Sequence, residues 1–473
     1  MKDMKVIPSL KDAILRSGLK DGMRISFHHH LRNGDGVMNM VLAQLSEMGF
    51  RGLTLNASSV FDVQSPLVGH VKSGLITQIE TNYMGSKVGR AISEGLMKNP
   101  VIFRTHGGRP SAIETGVTPI DVAFVAAPSA DPMGNATGRI GRSACGSLGY
   151  AVSDAMCARH TIVITDSLAG YPLENAIIQE QWVDGVVVVD SIGDPSGIVS
   201  GTTKITRDPV GLVMARTCVD VIRASGLLKD GFSFQTGAGG ASLAAAKFLK
   251  DVMLAEKIQG SFALGGITSY MVDMLNAGCF RSIMDVQCFD LGAVASIRDN
   301  PHHQEISATR YASPSAKTCA VDSLDAVILG ATEIDTDFNV NVHTDSNGFI
   351  MGGSGGHSDA AAGAKLAIIV APLIRARLPI VTDRVTTIST PGSSVDVLVT
   401  QRGAAVNPAR PELRERLKEA GVAVMDIHDL KKMAESMTGT PRKLPRGERE
   451  VARVIYRDGS QIDSIYGGSG VTR

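Results

Sequence analysis

The residues best placed to do chemistry in this chain are one glutamate and two clusters of glycine. Glu333 stands in ATEIDTDFNVNV, directly after the apolar run DAVILGA. A carboxylate at the carboxyl end of a buried strand lies on the sheet edge where α/β folds assemble their sites. Shortly downstream, MGGSGGHSDAAAGAKLAII carries Gly353, Gly355 and Gly356 around a serine. The other cluster, GAGGAS with Gly237, Gly239 and Gly240, follows the strand-like GFSFQT and opens into the helical LAAAKFLKDVML. A strand, a glycine turn and a helix start together gather backbone N–H groups that hold a phosphate or the oxygen of an activated carbonyl. A glutamate facing such donors suits acyl transfer, with a carboxylate attacking a thioester while the backbone holds the oxyanion. Plainer readings fit the same residues: a surface glutamate beside Asp335 and Asp337, and glycines that let a helix pack closely on a strand.

A second polar cluster is FHHHLRNGDG. His28, His29, His30, Arg32 and Asn33 bring donors to a helix start, a cradle suited to carboxylates or a pyrophosphate. THGGRPSAIETG adds His106 and Arg109. Three adjacent histidines cannot all face one ion from a regular backbone, so no metal is expected here.

Rival motifs carry less. GAGGAS has Ser242 where the dinucleotide fingerprint needs a third glycine, and no GxxxxGK[ST] phosphate loop occurs. GGSGG is a literal GxSxG, with Asp383 or Asp396 and then His428 in hydrolase order. A nucleophile elbow needs a full helix after the serine, and HSDAAAGAK allows barely two turns before LAIIV begins.

The elements that must position these residues alternate along the chain. MRISF, RGLTL, DVAFVAA, HTIVIT and DGVVVVD read as buried strands, and GVMNMVLAQLSEMG and SACGSLGYAVSDAMCARH as helices. The pattern predicts an α/β fold with mainly parallel sheets. The chain also repeats itself. GMRISF matches GFSFQT, SGLITQIETNYMG matches AGCFRSIMDVQCFDLG, DVAFVAAPSADPMGN matches DAVILGATEIDTDFN, and IVITD matches PIVTD, in the same order. Asp131 pairs with Asp335 and Asn135 with Asn339, and Ser129 falls opposite Glu333. Two homologous domains follow, residues 1–228 and 229–473. The second ends in an extension with two amphipathic helices, the basic linker TGTPRKLPRG and a hairpin at VARVIYRDGSQIDSIY.

Lys plus Arg and Asp plus Glu number 47 each, so no overall field draws the chain to nucleic acid or an anionic membrane. The six cysteines form no CxxC pair, which argues against a structural zinc cluster and a disulfide framework. With MKDMKVIPSL lacking a signal-peptide core and no apolar run of bilayer length, a soluble cytoplasmic protein is expected.

GAGG after a strand, E-I-D-x-x-x-N-V-N after a later one, and GSGGHSD before KLAIIV together resemble the coenzyme A transferases. Over nearly its whole length, including FHHHLRNGDGVMN and APSADPMGNATGRIGRSACG, the chain is similar to the citrate lyase alpha chain family. The resemblance implies two coenzyme A transferase-like domains and a citrate:acyl-carrier-protein transferase. Such an enzyme exchanges acetyl for citrate on a thioester, giving citryl thioester and acetate in citrate fermentation. It implies no tightly bound cofactor, and action on acetyl-CoA or on the phosphoribosyl-dephospho-CoA arm of an acyl carrier subunit. The implied partners are the gamma (acyl carrier) subunit and the beta (citryl lyase) subunit, in an oligomer. Residue by residue, Glu333 falls on the glutamate of the broader transferases that forms a glutamyl thioester. Gly237, Gly239 and Gly240, with Gly353, Gly355 and Gly356, fall on glycine loops near coenzyme A and the thioester. Citrate lyase transferases are thought to react in a ternary complex, which makes Glu333 a base or a positioning group instead.

Overall fold

A computed structural model describes residues 4–199, 204–441 and 446–468. The expected strands form two sheets with the same winding. In the first, strands lie in the order Gly185–Val188, His160–Thr165, Val122–Ala127, Arg24–Phe27, Leu53–Ala57, Ile76–Thr81 and Val101–Phe103. In the second the order is Val397–Thr400, Leu366–Val370, Ala326–Gly330, Phe234–Thr236, Gly260–Ile267, Phe280–Cys288 and His303–Glu305. Every pairing within these two runs is parallel. Such strands are covered on both faces and read as unbroken apolar runs. Val122–Ala127 is buried at every residue.

Each half runs from its central strand to one side and then crosses back to the other. That reversal leaves a crevice outside the carboxyl end of the central strand, where ligands of such sheets bind. His28 follows Phe27 there in the first half, and Gly237 follows Thr236 in the second.

The internal repeat holds down to single hydrogen bonds. Ser129–Ala130 pairs antiparallel with Ala136–Thr137, and Glu333–Asp335 with Val340–Asn341. In both turns the aspartate Oδ1 accepts backbone N–H groups, from Met133, Gly134 and Asn135 onto Asp131 and from Asp337 and Asn339 onto Asp335. The asparagine amide then closes each turn on Oδ2.

Two expectations need correction. The run from Ser143 to His160 is helical only over Ala151–Cys157. The residues before it lie in the seam between the halves, where a Cβ on Gly146 would come 2.2 Å from Cys288 Sγ, and one on Gly149 2.2 Å from Ile306 O. Tertiary packing overrides the helical pattern there. The C-terminal hairpin, Arg446–Ile455 with Gln461–Gly468, forms where the sequence places it, but it does not extend the second half. It joins the edge of the first sheet, parallel to Val101–Phe103. Val101–Phe103 would otherwise present an open sheet edge, and the hairpin covers it. The linker expected at TGTPRKLPRG falls partly on residues 442–445, outside the described residues.

Candidate active site at the seam

The carboxyl ends of the first-half strands supply a buried cluster of rings. His29 lies 4.8 Å from Tyr150 and 5.4 Å from His106, and His106 lies 4.4 Å from Tyr150, between ring centroids. Phe61 lies 5.8 Å from His29, and Tyr83 5.3 Å from Phe61. His30 Nε2 accepts the Tyr150 backbone N–H, which leaves the ring proton on Nδ1, a buried donor without a partner. His106 Nδ1 is likewise buried and unpartnered, and the His28 ring is buried beside the Ala126 backbone. Burial, with the positive charge of Arg109, lowers His28 and His106 to about 3; His29 and His30 are driven well below the usual value, first by burial and then by neighbouring histidines. These rings are neutral near pH 7 and offer N–H dipoles rather than charge.

Arg32 supplies the charge. Its backbone sits in the left-handed region at φ +52°, uncommon for a residue with a side chain. The guanidinium carbon lies 5.4 Å from the Phe61 ring centre and 4.5 Å from that of Phe289. Nε and Nη1 are buried without a hydrogen-bond partner, and no described carboxylate lies within ion-pair distance. Burial pulls its pKa down, partly offset by Tyr83 and Tyr150. Arg109 differs. Its Nε reaches Asn56 Oδ1 at 2.7 Å and its Nη2 reaches Asp154 at 2.9 Å, so it is tied into the fold by a neutral and a charged partner. Asn33 is exposed and apart from the ring cluster.

The second half closes on this cluster with its downstream glycine loop. The His106 N–H donates to Gly355 O at 2.8 Å, Gly355 N–H to Asn82 O, and Met84 N–H to Gly352 O. A Cβ on Gly353 would come 2.2 Å from Asn82 O, and one on Gly356 2.4 Å from the Tyr311 hydroxyl. Gln287 adds a bond to His29 O at 2.9 Å. The upstream loop is open by contrast. Among the described residues, a Cβ on Gly237 or Gly239 would meet no atom closer than 3.6 Å, although one on Gly240 would touch Lys204 O at 3.0 Å.

Glu333 is 5 % exposed and stands apart from the rings. Its Oε2 accepts from Asn341 Nδ2 at 3.0 Å and from the Thr386 backbone N–H at 2.9 Å, and Oε1 accepts from the Thr386 hydroxyl. It borders a cleft of about 310 Å³ between residues 346–348, 378–387 and 464–467. Neither glycine loop lines that cleft. A chain of bonds does join Glu333 to the downstream loop. Asn341 Oδ1 accepts from His343 N–H, and His343 Nε2 accepts from Ser354 N–H.

The hydrolase elbow is not assembled. The Ser354 hydroxyl bonds Ser358, Asp396 is held by Arg410 and the Ala367 N–H, and Asp383 pairs with Lys431. Phe61, Tyr83, Tyr150, Gln287 and Phe289 escaped the sequence reading. All but Tyr150 follow or end a strand of the two central runs, which is the signal that was available.

Taken together, two doubly wound halves meeting at their strand ends define a coenzyme A transferase-like fold. The malonate decarboxylase alpha subunit of Acinetobacter baumannii shares this fold, with a TM-score of 0.68 at 16% identity over 93% of this chain and 96% of that one. The family "citrate lyase, alpha subunit" matches residues 3–467. The citrate lyase alpha chain of Klebsiella pneumoniae is 50% identical over 464 residues, covering 98% of this chain and 91% of that one. A Streptococcus mutans structure described as the alpha subunit of citrate lyase in complex with citrate superposes with a TM-score of 0.97 at 47% identity, covering 99% of this chain and 92% of that one. The chain belongs to the citrate lyase alpha subunit family.

Proposed function

We propose that this chain is the citrate:acyl-carrier-protein transferase of a citrate lyase, and that citrate is held in the seam by Arg32 and the neutral donors of His28, His29, His30 and His106. Family membership supports the reaction. The observation that carries the placement is a guanidinium with buried, unpartnered Nε and Nη1 in the same cluster as His30 and His106, each with an unused ring nitrogen. Unpaired buried donors are costly unless a ligand satisfies them.

The exchange needs no redox step. A citrate carboxylate attacks the acetyl thioester carbon and expels the thiolate. The thiolate then attacks the citryl carbonyl of the resulting mixed anhydride and releases acetate. The open turn at Gly237 and Gly239 leaves room for the thioester arm to approach backbone N–H groups. In this reading the arm belongs to an acyl carrier subunit, with acetyl-CoA as a free substitute, and a citryl lyase subunit consumes the product in the cytoplasm. Glu333, with both oxygens already engaged, acts as a positioning residue. It fixes Asn341 and, through His343, the glycine loop that closes over His106.

The test is to incubate the purified chain with acetyl-CoA and labelled citrate and follow citryl-CoA. Formation of citryl-CoA and acetate in equal amounts is expected, with no borohydride-trapped derivative of Glu333. Hydrolysis of acetyl-CoA without citryl-CoA would overturn the reading.

A further inference from the structure

Arg32 has two unusual features, the left-handed backbone already described and a guanidinium carbon lying over two ring faces. The two rings come from different halves of the chain. Phe61 follows Leu53–Ala57 in the first half, and Phe289 follows Phe280–Cys288 in the second. Phe289 has its own built seat. Its backbone N–H donates to Ile267 O at 2.7 Å, and it lies across Gly266 at an irregularity in the pairing of Gly260–Ile267. A Cβ on Gly266 would stand 2.2 Å from the ring. Thus the second half spends a glycine in a strand to bring an aromatic face over a cation of the first half.

Rings that take up the approach to the guanidinium carbon leave a ligand its N–H donors, which lie in one plane. The matching ligand group is a planar carboxylate. Arg32 and both rings are half-buried. The carboxylate that undergoes exchange must face the thioester. The one gripped by Arg32 is therefore a second carboxylate of the same substrate, which selects di- and tricarboxylic acids over monocarboxylic ones.

We propose that Phe289 is a specificity-determining positioning residue. It holds Arg32 edge-on to a non-reacting carboxylate, so that recognition of a polycarboxylate requires the second half to be seated on the first. This rests on the proposed transferase reading and adds to it a residue that selects its substrate.

The experiment measures citrate KM and kcat in the citryl-CoA assay, together with citrate Kd by calorimetry, on the full chain. Phe289→Leu is expected to raise KM and Kd about tenfold with kcat little changed, the scale of one desolvated cation–ring contact. Phe289→Tyr, which keeps the ring, should return to within about twofold of wild type on the same scale. Gly266→Ala, which touches neither Arg32 nor citrate, should reproduce the Phe289→Leu effect by pushing the ring aside. Arg32→Lys, which keeps the charge without the planar edge, should cost about a hundredfold in Kd. The proposal is overturned if Phe289→Leu leaves KM and Kd within twofold of wild type, or if kcat falls while KM does not. It is also overturned if Phe289→Tyr is as impaired as Phe289→Leu. If wild type makes no citryl-CoA, the transferase reading itself has failed; normal wild-type turnover with an unaffected Phe289→Leu removes only the specificity claim.

Discussion

The two glycine loops look alike in sequence and do different things in space. Around Gly237 and Gly239 the missing side chains leave open volume among the described residues, whose nearest atom is at 3.6 Å. Around Gly353 and Gly356 the missing side chains are replaced by the other half of the protein and by Tyr311, at 2.2 and 2.4 Å. Glycine density therefore has two physical causes, close approach of a ligand and close approach of backbone to backbone. Only the second is satisfied by the protein itself. The downstream loop is a seam element that lays Gly355 against His106, and the upstream loop is the one with room for an arm.

Substitutions should separate the two. The largest effect is expected from Gly353→Ala, whose methyl overlaps Asn82 O and Tyr83 Cα. Overpacking of this kind costs about 1–3 kcal/mol. Both the thermal midpoint and the citryl-CoA rate should fall, as read by calorimetry and the coupled assay. Gly239→Ala should leave the thermal midpoint unchanged and raise the KM for acetyl-CoA by about tenfold, roughly the 1.4 kcal/mol of one lost close contact. If it instead destabilises the chain like Gly353→Ala, the two loops are not different in kind. Glu333→Ala should lower kcat more than Glu333→Gln, since the amide keeps an oxygen for Thr386 or Asn341 whereas alanine frees the bond chain to Ser354.

A further expectation is a pH dependence. His106 titrates near 3 when folded and near 6.5 when unfolded. Between those values the unfolded chain binds more protons, so this residue's contribution to stability is complete above about pH 6.5 and is lost as pH falls toward 3. The thermal midpoint of His106→Gln should accordingly drop less than that of wild type between pH 7 and pH 5. Buried Asp359, raised to about 6, works in the opposite sense, its favourable contribution being lost as pH rises through 6, so the comparison must be between variant and parent.

Local signals were legible in the sequence and long-range ones were not. The repeat, the strand ends and the FHHHLR cluster could be read because each is written in consecutive residues or in a matched pair of segments. The Asp131 and Asp335 turns are the clearest instance, since their hydrogen bonds lie within a few residues. What could not be read was which edge the C-terminal hairpin would join, because a strand's own alternation does not name its partner. The partner of Arg32 was hidden for the same reason. Phe289 is an ordinary aromatic in MDVQCFDLG, and only the docking of the halves makes it a clamp. Glu333 stood out by its place at a strand end, yet the register of Glu333–Asp335 against Val340–Asn341 turns its carboxylate onto Asn341.

The most direct test of the account is a crystal structure of this chain with citrate. The account predicts one citrate carboxylate on the edge of Arg32 between Phe61 and Phe289, with others reached by the ring nitrogens of His30 and His106. Citrate bound instead in the cleft beside Glu333, against residues 346–348 and 382–387, would contradict it.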